Sequence, residues 1–309
     1  MVTTIRAALV TDIPEIVRVV GAVGLSLDEE GLRNYFFHSE LKIEAGGALG
    51  GFVALDEGKK IVGYCGLTPC CLYQGKMEVA ALQMGVLGLL PGYGAAMFSL
   101  MDAVIALTMQ YPVFANTVNA KSGKLWTMYA GFSYGPEKCS SIQYALLPVG
   151  MLTRARVRCI EQFEELISSS FWMHYLETNS RWVTDRSPAR LCRIWGRAVH
   201  DGRLGVVLAK NNGQIVGYAI LHARRLSCLG KLRYNILDFV ALKDDPAVLR
   251  HLVLRCKRFA ALHGGVIIEY VGPVPVFKCQ RKALNNTFIG SREFDGWFGG
   301  PFDGDRSFV

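Results

Sequence analysis

Apolar and polar residues alternate from Thr4 to Val10, the pattern of a strand with one buried face. Thr11 or Asp12 then caps a helix with Pro14 near its start and Ile16, Val17, Val19 and Val20 along it. Leu27 to Glu40 predicts a second helix, with Leu32, Tyr35 and Phe36 on one face. Beyond Gly46-Gly47 and Gly50-Gly51, the runs Phe52–Leu55 and Ile61–Leu67 predict a β-hairpin about the turn Asp56-Glu57-Gly58-Lys59. Met77 to Leu87 reads as strand, Val113 to Asn119 as strand, Lys121 to Tyr129 as a short helix and Ile142 to Leu147 as a closing strand.

The stretch Glu78 to Asp102 organises this half. An apolar strand gives way to Pro91-Gly92-Tyr93-Gly94, and Ala95, Ala96, Met97, Phe98, Leu100 and Met101 then continue as helix. A helix start carries backbone N–H groups without intrahelical partners and the positive end of the helix dipole, so it attracts phosphate. Gly92 and Gly94 would let such a ligand reach the backbone, although the same strand–turn–helix pattern also serves proteins that bind nothing there. The stretch is nearly uncharged, but Pro91, Gly92 and Gly94 interrupt it. The apolar lengths on either side are too short for a bilayer core of about 30 Å.

The chain also repeats itself. Gly58 to Leu67, which contains Ile61-Val62-Gly63-Tyr64, recurs as Asn212 to Leu221 with Ile215-Val216-Gly217-Tyr218. Downstream, Tyr234 to Val240 predicts a strand, Ala247 to Leu262 a helix and Gly265 to Val271 another strand. The glycine turn has no counterpart in this copy. Lys243-Asp244-Asp245-Pro246 stands there instead, and two aspartates at a helix start repel a diphosphate. The pattern therefore predicts a mixed-sheet α/β (α+β) protein with tandem domains, 1–150 and 151–309, the second without cofactor binding.

Composition narrows the function classes. Hydrophobic residues make up 51% of the 309, enough for sizeable cores. The amino terminus has no secretory h-region, which predicts a cytoplasmic location. Nine cysteines without a CxxC pair fit free thiols better than a disulfide framework or a zinc site, so no metal is expected. The formal charge of +8 fits phosphate-bearing partners, but no basic run interleaves with aromatics, which disfavours nucleic acid. Arg154, Arg156, Arg158, Arg181, Arg186, Arg190, Arg193 and Arg197 are either a solvated face or a surface for a diphosphate-carrying substrate. No motif encodes an oligomeric state, so a homo-oligomer stays open. The aromatics Phe171, Trp172 and Tyr175 could stack on a ligand or fill a core, and the glycine-rich end from Trp297 could fold as a loop or trail as a tail.

The order of elements, with Leu89-Leu90-Pro91-Gly92-Tyr93-Gly94 opening a helix, resembles the GCN5-related N-acetyltransferase superfamily. So does Asn119-Ala120-Lys121-Ser122 before a short helix that ends in Gly131-Phe132. The tandem arrangement is similar to sugar N-acyltransferases of bacterial polysaccharide clusters. The resemblance implies direct attack of an amine on an acyl-coenzyme A thioester, with acetyl or a longer acyl group as cargo and a nucleotide-linked amino sugar as acceptor. It implies that Gln83, Met84, Gly85 and Val86 line the thioester, and that Leu90, Gly92, Tyr93, Gly94, Ala95, Asn119 and Ser122 hold the coenzyme. A base would come from Glu78 or His38, with Glu40 and Asp238 as further carboxylates in comparable positions, and Tyr129 is the candidate for thiolate protonation. Two positions depart from the family pattern. Leu89 stands where Arg or Gln is usual, and Trp126, seven residues after Asn119, replaces the usual acid tyrosine. These departures keep a non-catalytic scaffold open as an alternative, beside aminoacyl transfer from tRNA.

Overall fold

The structure, a computed structural model, describes residues 3–24, 28–37, 50–134, 141–147, 159–179, 183–225, 231–272, 281–283 and 286–290. The first elements are β1 (Thr4–Ala7), α1 (Ile13–Ala22) and α2 (Glu29–Leu32), which runs into one wide helical turn at Arg33–Phe37. There follow β2 (Phe52–Leu55), β3 (Ile61–Gln74), β4 (Met77–Leu89), α3 (Ala96–Thr108), β5 (Val113–Asn119), α4 (Ala120–Ala130) and β6 (Ser133–Tyr134). Next come β7 (Ser141–Leu146), α5 (Cys159–Ser168), α6 (Phe171–Thr178), β8 (Val183–Thr184), α7 (Pro188–Leu191) and α8 (Arg197–His200). The last are β9 (Leu204–Asn211), β10 (Gln214–Arg225), β11 (Leu232–Ala241), α9 (Pro246–Leu262), β12 (Gly265–Gly272), β13 (Arg281–Ala283) and β14 (Asn286–Gly290). The break at 150/151 expected between domains falls outside the described residues.

These elements form two compact units. The first is organised on a mixed sheet of order β1-β2-β3-β4-β5-β14-β6. β1, β2 and β3 pair antiparallel, β4 and β5 pair parallel, and β14 runs antiparallel to both β5 and β6. Alternation along the strands sorts their side chains into two cores. Val53 and Tyr64 pack with Ile13, Ile16, Val20 and Leu32 from α1 and α2, while Ala54 and Cys65 pack with Leu100, Val104 and Trp126 from α3 and α4. The sheet thus lies between two helical layers.

The second unit has the sheet order β13-β7-β12-β11-β10-β9, with β11 and β12 parallel and its other pairs antiparallel. Val206 and Leu208 face a core shared with α5, α6 and the residues of α7 and α8. Val207 and Ala209 face α9 through Leu252, Cys256 and Phe259. Phe171, Trp172 and Tyr175 are buried in the first of these cores, so they are packing residues. In both units a hairpin strand leads through one helix to a parallel neighbour, β4–α3–β5 in one and β11–α9–β12 in the other. The sequence repeat is therefore a repeat of topology.

Two expectations change. The strand expected to close the first sheet at Ile142–Leu147 exists as β7 but pairs with β12 and β13, and Ala145 and Leu147 pack beside Ile268 and Phe259. The place beside β5 is taken by β14, in a region the hydrophobic pattern did not mark as strand. β3 also runs on through Pro69 to Gln74, beyond the expected stop at Leu67. No helix among the described residues is long and apolar enough to cross a membrane.

Candidate functional site: a parting strand and an open glycine turn

β4 and β5 are paired at Leu82↔Val113 and Gln83↔Phe114, and the register goes no further. Both strands continue, β4 to Leu89 and β5 to Asn119, with β5 paired on its other side to β14 from Phe114 to Asn119. From Met84 onward β4 therefore offers its backbone N–H and C=O groups on the side facing β5 to something other than a strand. Gln83, Met84, Gly85 and Val86, expected to line a thioester, lie where the strands part. Glycine is needed at this point for packing. A Cβ on Gly85 would come within 2.7 Å of the Phe36 ring, and one on Gly66 of β3 within 2.6 Å. Phe36 is buried at the end of the wide turn after α2, and its ring meets Tyr64 edge-on at 5.9 Å between centroids. That aromatic floor was not apparent from the hydrophobic pattern, which marked Phe36 only as one face of a helix.

At the end of β4, Leu90 N–H donates to Val62 O at 2.8 Å, and the chain then turns. Tyr93, Ala96, Met97 and Phe98 donate to the carbonyls of Leu90, Tyr93, Gly94 and Ala95. The N–H groups of Gly92, Gly94 and Ala95 have no acceptor among the described residues, and α3 has no side-chain cap. All three residues are exposed, and neither glycine has an atom within 4 Å of where a Cβ would stand. Gly92 also has φ +90, a conformation that L residues with a Cβ rarely adopt. The result is a short row of open donors at a helix start, with the geometry to take an anion. Leu89, in place of the family's Arg or Gln, is partly buried against the α3 core and adds no charge.

The corresponding helix start in the second unit is closed. Asp245 caps α9, accepting from Ala247 N–H at 2.7 Å, with Pro246 at the first helical position. The negative charge and the filled donor both argue against an anion there.

The remaining candidates are scattered. Glu78 is exposed near the start of β4 and accepts from the Cys71 thiol at 2.9 Å across the hairpin. Five residues of strand separate it from Gln83, about 17 Å at the usual rise. His38 and Glu40 lie outside the described residues. Asn119 ends β5 and Ser122 is in the first turn of α4. Trp126 is buried against Phe132, ring centroids 5.1 Å apart, and is a core residue. Tyr129 is exposed on α4, its ring 5.0 Å from that of Phe98 on α3. Its hydroxyl donates to Asp102 Oδ1 at 2.9 Å, and that hydrogen bond raises the phenol above its ordinary pKa, so Tyr129 keeps its proton. Sequence reasoning missed Asp102, though a signal existed, because it is the lone charge in α3. Asp238 is buried and its oxygens are taken by Arg186, by the Tyr218 hydroxyl at 2.5 Å and by Phe239 N–H at 3.0 Å, which makes it part of the framework of the second unit. Among the described residues no group of three or more His, Cys, Asp or Glu could hold a metal.

Compared by sequence, the chain matches no protein-family model and no curated protein. Compared by structure, it matches N-myristoyltransferase from Saccharomyces cerevisiae with bound myristoyl-CoA, at TM-score 0.58 and 8% identity, over 94% of this chain and 79% of the other. A probable N-acyltransferase from Enterococcus faecalis V583 matches with TM-score 0.59 and 12% identity, over 94% and 72%. A GCN5-related N-acetyltransferase from Anabaena variabilis matches with TM-score 0.51 and 15% identity, over 94% and 72%. These matches at 8–15% identity are matches of fold, and the chain has the fold of the GCN5-related N-acetyltransferases.

Proposed function

We propose that the chain is an acyl-coenzyme A-dependent N-acyltransferase whose donor lies along β4 of the first unit. The observation that carries this reading is the row of three open N–H groups at Gly92, Gly94 and Ala95, placed directly after a strand whose edge is unpaired beyond Gln83. A diphosphate satisfies the first feature and the amides of a pantetheine arm satisfy the second, in the way a peptide adds to a sheet edge. The thioester then falls near Gln83–Val86.

A neutral amine attacks the thioester carbonyl, the C–N bond forms, and the C–S bond breaks to release the coenzyme thiolate. No enzyme nucleophile is required, and the buried thiols support that: burial pushes Cys65 up to about 12 and raises Cys256 as well, so neither forms a thiolate readily. Rate comes from positioning donor and amine and from donors aimed at the developing oxyanion. Tyr129 is the proposed source of the proton for the leaving thiolate, its O–H turning from Asp102 to the sulfur. His38 is the proposed base, since Glu78, about 17 Å along β4 from Gln83, is out of reach of a thioester there. Asn119 and Ser122 are proposed to contact the coenzyme from the β5–α4 junction. The acceptor is proposed to be a nucleotide-linked amino sugar, in line with the formal charge of +8.

The test is calorimetric titration with coenzyme A and with acetyl- and longer acyl-coenzyme A, followed by thiol release in the presence of nucleotide-linked amino sugars. Micromolar binding with amine-dependent thiol release supports the reading. Absence of coenzyme A binding overturns it, and binding without turnover on any amine points to the scaffold.

A further inference from the structure

The second unit carries a polar cluster that acyl transfer does not use. On β10 and β11 the residues His222↔Asn235 and Arg224↔Arg233 are direct cross-strand partners. Their spacing of two along each strand puts all four on one face. Glu269 of β12 is the partner of Asn235 on the next strand. Two guanidinium groups opposite each other repel, which is an unfavourable arrangement for a sheet in isolation. Arg233 reaches Glu269 at 3.4 Å, but its Nε is buried without a hydrogen-bond partner, and so is Asn235 Oδ1. Arg224 Nε makes only a long contact of 3.4 Å to His222 Nδ1, which leaves the other ring nitrogen of His222 to carry the hydrogen.

We propose that this face of the second sheet is a binding site for the phosphate group of a hydroxyl-bearing small molecule. Arg224, Arg233 and His222 supply donors on this face, two of them on cationic groups, which suits a dianionic phosphate better than a singly charged carboxylate. Asn235 Oδ1 is an acceptor without a donor and suits a neighbouring hydroxyl. A bound dianion also removes the repulsion between the paired arginines. His222 is held in its neutral form by burial and by Arg224 and Arg203, so it donates through one nitrogen without adding a third charge. This inference stands on the second unit alone and does not depend on acyl transfer.

The experiment is thermal unfolding and calorimetry of the full chain with inorganic phosphate and with ribose 5-phosphate, at ionic strength matched by chloride. Saturable binding is expected, tighter for the ester than for inorganic phosphate. Arg224→Glu should weaken it at least about tenfold, since it replaces an attracting charge by a repelling one. The variant should unfold no earlier than the parent without ligand, because Glu opposite Arg233 relieves the repulsion. Gly94→Val, which alters the turn of the first unit, should leave the response intact. The proposal is overturned if the parent shows no saturable response, if Arg224→Glu responds like the parent, or if Gly94→Val abolishes the response and so places the phosphate at the turn.

Discussion

Gly94→Val separates binding from folding. No atom lies within 4 Å of the position a Cβ would occupy at Gly94, and unlike Gly92 it does not have a φ in the left-handed region. The variant therefore costs the fold little beyond local propensity, about 0.5 kcal/mol or less either way for an exposed position. The added isopropyl group fills the open space beside the N–H groups of Gly94 and Ala95, where the diphosphate is proposed to sit. A hydrogen bond to a charged group contributes about 1.5–3 kcal/mol, so losing a single one weakens binding about 10- to 150-fold. Displacing the diphosphate from the whole row costs more. Calorimetry with coenzyme A, set beside a urea unfolding curve of the same sample, reads both quantities. An unchanged midpoint with affinity lowered at least tenfold is expected. Equal affinity in parent and variant would refute the assignment of the turn. Gly92→Val should weaken coenzyme A comparably but also lower stability by about 1–2 kcal/mol, because valine is forced to positive φ.

Asp238→Ala leaves Arg186 buried without its carboxylate and should lower unfolding stability by about 3–5 kcal/mol in urea; a loss below about 1 kcal/mol would mean the pair contributes little. Asp12 is held below its ordinary value of 3.8 by its hydrogen bond to Arg6, so its contribution is present above that value and lost as pH falls through the lower folded value. Asp12→Asn should therefore flatten the stability profile below about pH 4 relative to the parent, as followed by acid unfolding. His222 should titrate below 6.5 by NMR, and Arg224→Glu should move its midpoint upward; its lowered pKa means that stability falls as pH drops below the unfolded value. A midpoint at or above 6.5 in the parent would contradict the placement of Arg203 and Arg224 around it.

Local order was legible in the chain. Val113–Asn119 and Phe52–Leu55 were read to the residue, α9 within one, and the start of α1 within one or two, because alternation or helical spacing marks which face of an element is buried. Partnership was not legible. The pattern Ile142–Leu147 says that a strand has an apolar face, and nothing in it says that Ile268 lies beside Ala145. Asn286–Gly290 is too short and polar to stand out, yet it pairs with β5. The glycine turn could be located because its shape is local, and its open donors follow from residues adjacent in sequence. Candidate acids and bases fared differently. Glu78 was singled out for its place on β4, but the hairpin register brings Cys71 to it, and Tyr129 gained meaning only when folding brought Asp102 alongside.

The exchange of β7 and β14 has a consequence for biosynthesis. While the ribosome is still making the middle of the protein, β5 has no neighbour on one side, because the segment that pairs with it begins at residue 286. Conversely, β7 emerges long before β12, with which it pairs. A nascent chain must therefore keep an unfinished sheet edge from sticking to other molecules for most of its synthesis. Early fragments should accordingly depend on chaperones, and neither half should mature independently of the other.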